Sequence, residues 1–164
     1  YAKLDYRLSL LEIQKIAYFL QEGGEPLKLR YQAGRYGPYA SNLNKLLEVL
    51  EGHYIRGYGD SQKPDAEINL LKGSIEDANR YLSEHSEAIK HLEHVKKLIS
   101  GFETPYGMEL LSSVHWLAIH RDRQAKDPIE AISGMAKWSD RKRAMFKPKH
   151  IKVAWDRLVS EGWI

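Results

Sequence analysis

Apolar residues recur along this chain at two spacings, and the change of spacing marks out its elements. In SLLEIQKIAYFLQEGGEP, Leu10, Ile13, Ala17 and Leu20 fall a helical turn apart, with Ile16 and Phe19 widening the face; that period predicts an amphipathic helix. Ser9 and Glu12 stand at capping-box spacing, and Gly23, Gly24 and Pro26 stop the helix. LKLRYQ then alternates Leu27, Leu29 and Tyr31 with polar residues, as a half-buried strand does. A second helix carries Leu43, Leu46, Leu47 and Leu50 and ends at Gly52. HYIRGYGD and AEINLL read as short strands that could pair with the earlier one. From Ser74 the pattern is helical throughout. Ser74 and Ser86 are placed as caps, and Ala88, Leu92, Val95 and Ile99 form one stripe. Thr104–Pro105 and Asp127–Pro128 each open a helix, proline being tolerated at the first helical position. The helix after Thr104 is apolar on most sides, which predicts a central, buried element. Ser139 begins a short basic helix, and HIKVAWDRLVSEGW closes the chain with Ile151, Ala154, Trp155 and Leu158 inward. The expected fold class is mainly α (α+β), a compact helical domain with a small antiparallel β element near residues 27–71.

The 164 residues, 19.0 kDa, fit a single domain over 1–164. No cysteine is present, so disulfides, thiolate metal sites and cysteine nucleophiles are excluded. No run approaches the roughly 20 apolar residues of a membrane span; a cytosolic chain is expected. The first residue is tyrosine, and the chain is expected to be a fragment of something longer. The net charge of +3 is uneven: residues 1–60 carry +1, residues 61–120 carry −3, and residues 121–164 carry +5. One partner could meet an acidic middle and another a basic tail.

Four groups carry possible chemistry. Tyr31, Tyr36, Tyr39, Tyr54 and Tyr58, with Arg30, Arg35 and Arg56, crowd one segment. These residue types suit a protein interface, a base-stacking surface, or the edge of a small core. Glu87, His91 and His94 share one side of a helix, a spacing that could hold a metal, but no third ligand is implied. His115 reads as a hydrogen-bonded core histidine. RKRAMFKPKHIK, Arg141 to Lys152, carries six basic residues and no acid, and could bind phosphates or an acidic partner, or form a solvated face. Glu76, Asp77, Glu84 and Glu87, with Glu48, Glu51, Asp60, Asp65 and Glu67 upstream, could form an acidic face. Nothing has the context of a nucleophile and its base, and no glycine run has phosphate-loop spacing.

The stretch LEIQKIAYFLQEGGEPLKLRYQAGRYGPYASNLNKLLEVLEGHYIRGYGD closely resembles the C-terminal domain of DarG antitoxins, partners of DarT toxins that attach ADP-ribose to DNA. More distantly, IQKIAYFLQ followed by RYGPYASNL resembles the opening of Panacea-type antitoxin domains, matched at Gln14, Lys15, Tyr18, Phe19, Tyr36, Gly37 and Pro38. Tyr39 and Ala40 depart from that second pattern. The resemblance implies an antitoxin domain that neutralises a DarT-type toxin by direct contact, without catalysis; no cofactor or metal is expected, and the expected state is a monomer. On this reading an acidic, DNA-mimicking face occludes the toxin's single-stranded DNA site. Its candidate contacts are Glu48, Glu51, Tyr54, Arg56, Tyr58, Asp60, Glu76, Asp77, Glu84 and Glu87, and Gly37 and Pro38 shape a corner rimmed by Tyr36 and Tyr39. The alternative is a DNA-binding module for autoregulation that uses residues 141–152.

Overall fold

Ser9 opens the first helix as its spacing requires. Its hydroxyl accepts from the Glu12 amide, and the Glu12 carboxylate accepts from the Ser9 amide at 2.9 Å. The computed structural model describes residues 8–59, 63–120 and 124–164. In chain order these form β1 (Leu8–Ser9), α1 (Leu10–Glu22), β2 (Tyr31–Gly34), β3 (Gly37–Ala40), α2 (Ser41–Leu50), β4 (Ile55–Arg56), β5 (Glu67–Leu70), α3 (Ser74–Ser83), α4 (Ser86–Ile99), α5 (Pro105–Ile119), α6 (Pro128–Trp138), α7 (Asp140–Met145) and α8 (Pro148–Ser160). The architecture is mainly α with a small antiparallel sheet, as the sequence predicts.

Two compact units divide the described chain: residues up to Tyr31 with Ala40–Val95, and Gln32–Tyr39 with Lys96–Ile164. In the first, β5 lies between β1 and β4, antiparallel to both, with Leu8 opposite Ile68 and Ile55 opposite Leu70. The sheet and α1 and α2 enclose a core around Leu10, Leu43, Leu47, Ile55, Tyr58 and Ile68. Gly57 takes φ 110, and a Cβ there would lie 2.2 Å from the Glu67 carbonyl oxygen, so only glycine lets β4 approach β5. In the second unit α5 is the hub: it packs on α6 and α8, and α6 also packs on α7 and α8. Residues Gly107–Ala118 of α5 are all buried.

Three local expectations are corrected. LKLRYQ is not a strand over its length: β2 begins only at Tyr31, and it pairs with β3 rather than with β4 or β5. The backbone of residues 28–30 is satisfied by side chains instead. Gln21 accepts from the Leu29 amide at 2.6 Å and donates to the Leu29 carbonyl at 2.9 Å, while Asn42 accepts from Arg30 and donates to the Lys28 carbonyl. Lys28, at φ 57, breaks the extended run. Ser74 is not a cap. Gly73 holds that position in the left-handed region, and the Ser74 hydroxyl donates to the Tyr54 carbonyl at 2.7 Å. β1 has no signal in the sequence beyond its neighbour's cap; the sheet partner Ile68 is what extends it.

Candidate functional site

GRYGPYA forms a hairpin rather than a plain corner. Arg35 and Tyr36 make a two-residue turn between β2 and β3, and Gly37 follows at φ 93. A turn without positive φ followed by a left-handed glycine is one of the common hairpin closures. The tip belongs to the second unit. There the Trp138 ring N–H donates to the Gly34 carbonyl at 3.1 Å, and an Arg141 Nη1 donates to the Arg35 carbonyl at 3.3 Å. The Arg141 guanidinium lies 4.7 Å from the centre of the Tyr36 ring, a cation–π contact.

Behind the tip lies a buried charge cluster. Ser139 caps α7, accepting from the Lys142 amide, and this start aims Arg141 and Lys142 at α5. Glu109 on α5 receives both: Arg141 in a fork of 2.7 and 3.1 Å, and Lys142 Nζ at 2.7 Å. Lys142 also donates to Ser113 Oγ at 3.0 Å and sits 4.7 Å from the Trp138 ring centre. Glu109 is 2% exposed and Lys142 0%. Burial pushes the Glu109 carboxyl up, but the hydrogen bonds from Arg141 and Lys142 prevail and hold it below its ordinary value. Burial pushes the Lys142 ammonium down, against the pull of Glu109, and Glu109 raises the Arg141 guanidinium. A general acid needs a carboxyl held protonated near the working pH. Glu109 is held in the opposite state with its oxygens engaged, so the cluster positions the hairpin tip and does not deliver a proton.

The other motif residues clip the hairpin's base in the first unit. Gln14, 1% exposed, donates to the Ala40 carbonyl at 3.0 Å and accepts from the Ala40 amide at 3.1 Å. Tyr31 OH donates to the Gln14 carbonyl, and the Tyr18 ring meets Tyr31 edge-on at 5.1 Å. Lys15, Tyr18 and Phe19 are buried, as are Gly37 and Pro38, while Tyr39 is exposed.

Several of the residues expected to form an acidic contact face have local partners or positions. Glu51 accepts from the amides of Gly57 and Tyr58 at 3.1 and 3.2 Å. Glu76 and Asp77 lie in the first turn of α3, where the helix dipole favours a carboxylate, and Asp77 pairs with Arg80. Glu84 is the C-cap of α3. Glu87 lies in the first turn of α4 and pairs with Lys90 at 2.6 Å. Glu48, Tyr54 and Arg56 are exposed, Tyr58 is 1% exposed and belongs to the core, and Asp60 lies outside the described residues. His91 of the expected histidine pair instead meets Glu25 at 2.8 Å. Among the described residues no group of three or more His, Asp or Glu is placed to hold a metal. His115 is buried beside Trp163, whose backbone it hydrogen-bonds, and burial pushes it down to about 3.

The basic run is likewise divided. Arg141 and Lys142 face inward, Arg143 pairs with Asp140 and Lys152 with Asp156, leaving Lys147 and Lys149 outside. Sequence reasoning missed Glu109. Its signal was a lone carboxylate inside an otherwise apolar helix, which in a buried position demands a cation. Net charge follows the units rather than thirds of the chain. The hairpin tip with residues 96–164 carries fourteen Lys/Arg against eight Asp/Glu, +6, and the remainder −3. Among the described residues no helix is long and apolar enough to cross a membrane.

No family model matches the chain. It is 40% identical over 162 residues, 99% of its length, to a DNA ADP-ribosyl glycohydrolase of Thermus aquaticus. It is 36% identical over 158 residues to proteins of the same name from Mycobacterium tuberculosis and Mycobacterium bovis. The chain spans 44% of the length of each of these relatives. These are bacterial proteins named for an enzyme activity, related to this chain over nearly all of it, which supports the DarG relation. That name corrects two expectations: that the domain is a purely protein-binding, toxin-occluding antitoxin or autoregulatory module, and that it acts without catalysis. Of the acidic residues that suggested a DNA mimic, Glu51 accepts from loop amides, and Glu76, Asp77, Glu84 and Glu87 stand at helix termini.

Proposed function

We propose, from the premise that this chain is related over nearly its whole length to DNA ADP-ribosyl glycohydrolases, that it forms part of such an enzyme. Its own share in cleaving ADP-ribose from DNA is to hold the modified strand. The observation that carries the reading is the 40% identity maintained across 99% of the chain. Two features support the division of labour. The second unit carries +6, matched to a polyanionic substrate. The two buried carboxylates among the described residues are fully engaged, Glu12 in a cap and Glu109 with two cations. The reaction that supplies the substrate is ADP-ribosyl transfer onto DNA, so association with a DarT-type system is proposed with it.

A chimera tests this. The section of the Thermus aquaticus relative aligned with this chain is replaced by the chain, and release of ADP-ribose from a modified oligonucleotide is measured. The chimera is expected to retain release, and the relative lacking that section to show a raised KM. An inactive chimera beside an active parent, or a deletion that leaves KM and kcat unchanged, overturns the proposal.

A further inference from the structure

From Arg141 to Trp155 the chain contains no carboxylate, yet most of its cations are already committed. Lys147 and Lys149 are the exception. Both are exposed, flank Pro148 at the start of α8, and among the described residues have no acidic partner. Beside them stands an aromatic side chain with a fixed pose. Tyr106, 36% exposed, has its hydroxyl 2.8 Å from His150 Nδ1. Its ring leans on buried Phe146 at 5.1 Å and meets the His150 ring edge-on at 5.9 Å. A half-exposed ring held in this way loses little freedom when a further flat group stacks on it. Two exposed lysines separated by one residue can each neutralise a phosphate of one strand and release its counterions.

We propose that Tyr106, Lys147, Lys149 and His150 form a surface for a single strand of DNA, the two ammonium groups taking backbone phosphates and the Tyr106 ring stacking on an unpaired base. The strandedness follows from the ring, since a base within a duplex has no free face to offer. The identification of the nucleic acid as DNA rests on the function proposed above, whereas the place rests on charge and geometry alone. Arg141 and Lys142, which make the run look most basic in sequence, take no part because Glu109 holds them.

The test uses a short, labelled, unmodified single strand and the corresponding duplex, followed by fluorescence anisotropy at several salt concentrations. The chain is expected to bind the single strand more tightly. Lys147→Glu and Lys149→Glu should each weaken binding about tenfold at low salt, and lower the slope of log affinity against log salt by about 0.7 for each phosphate no longer held. Tyr106→Leu should weaken binding about fivefold or more while leaving that slope in place. Lys45→Glu, the same change of net charge at an exposed position on α2, is the control and should bind as the parent does. The assignment is overturned if Lys147→Glu behaves as Lys45→Glu, if the duplex binds as tightly as the single strand, or if the chain does not bind the strand at all. Because the probe carries no ADP-ribose, failure here leaves release by the chimera as a separate result, and failure of the chimera leaves this surface standing or falling on its own data.

Discussion

Glu109 shows how much one buried side chain can govern. Removing its charge strands the buried Lys142 ammonium beside the partly exposed Arg141 guanidinium. Glu109→Gln should therefore cost about 3–5 kcal/mol in urea unfolding. Adding Lys142→Met should recover much of that loss, since the second change removes the charge the first one stranded. An additive pair of losses would show that the cluster is not coupled. His115 acts through pH. Its folded pKa, about 3, lies below the ordinary histidine value, so between roughly 6.5 and 3 the unfolded chain binds a proton that the folded chain refuses. Stability should fall with falling pH across that window, by up to about 1.4 kcal/mol per pH unit. It should be independent of this group above the window. Glu109, held below its ordinary value, adds a loss that begins as pH falls through the usual carboxylate range, where the unfolded chain takes up the proton first. Comparing His115→Gln with the parent by denaturant titration at pH 7 and pH 5 isolates the histidine part; equal pH dependence in both would refute it.

At the scale of elements, α1 supports the end of β3 and the segment leading into β2 through two glutamines set two turns apart. Gln14 satisfies both backbone groups of Ala40, and Gln21 both of Leu29, so each side chain stands where a strand neighbour would. Gln14→Leu keeps the volume but orphans a buried amide and carbonyl. It should cost about 1–3 kcal/mol and speed hydrogen exchange at the Ala40 amide; unchanged exchange there would mean that the backbone finds another partner. Gly57→Ala should separate β4 from β5, because its methyl has no room beside the Glu67 carbonyl and its φ of 110 suits glycine alone. A loss well above 1 kcal/mol, measured by thermal unfolding, is expected. Much of this level is legible in sequence. Caps at Ser9, Thr104, Asp127 and Ser139 are local devices, decided by neighbours within four residues, and each stands as the spacing requires. LKLRYQ misleads because alternation reports a half-buried chain, not the group that satisfies its backbone.

For the whole molecule, the decisive quantity is how charge is divided. The second unit's +6 lies in a chain whose net charge is only +3. If that unit holds the DNA of a glycohydrolase, raising salt should raise KM for modified DNA while kcat stays level, because screening weakens phosphate contacts without touching the bond being broken. A fall in kcat at constant KM would place the charges elsewhere in the reaction.

By itself the sequence determined the helical content, the caps at Ser9, Thr104, Asp127 and Ser139, the buried character of α5 and the inward face of α8, since each depends on periodicity and on neighbours along the chain. Its motif of Gln14, Tyr18, Tyr36, Gly37 and Pro38 could be recognised there, but not what each residue touches. Only the tertiary structure decided that Arg141 and Lys142 leave the basic run for Glu109, some thirty residues away in sequence, and that Glu51 and Glu87 serve local partners. Burial and pairing turn a series of charges into a surface, and both are set by contacts distant along the chain, to which a pattern of spacings is blind.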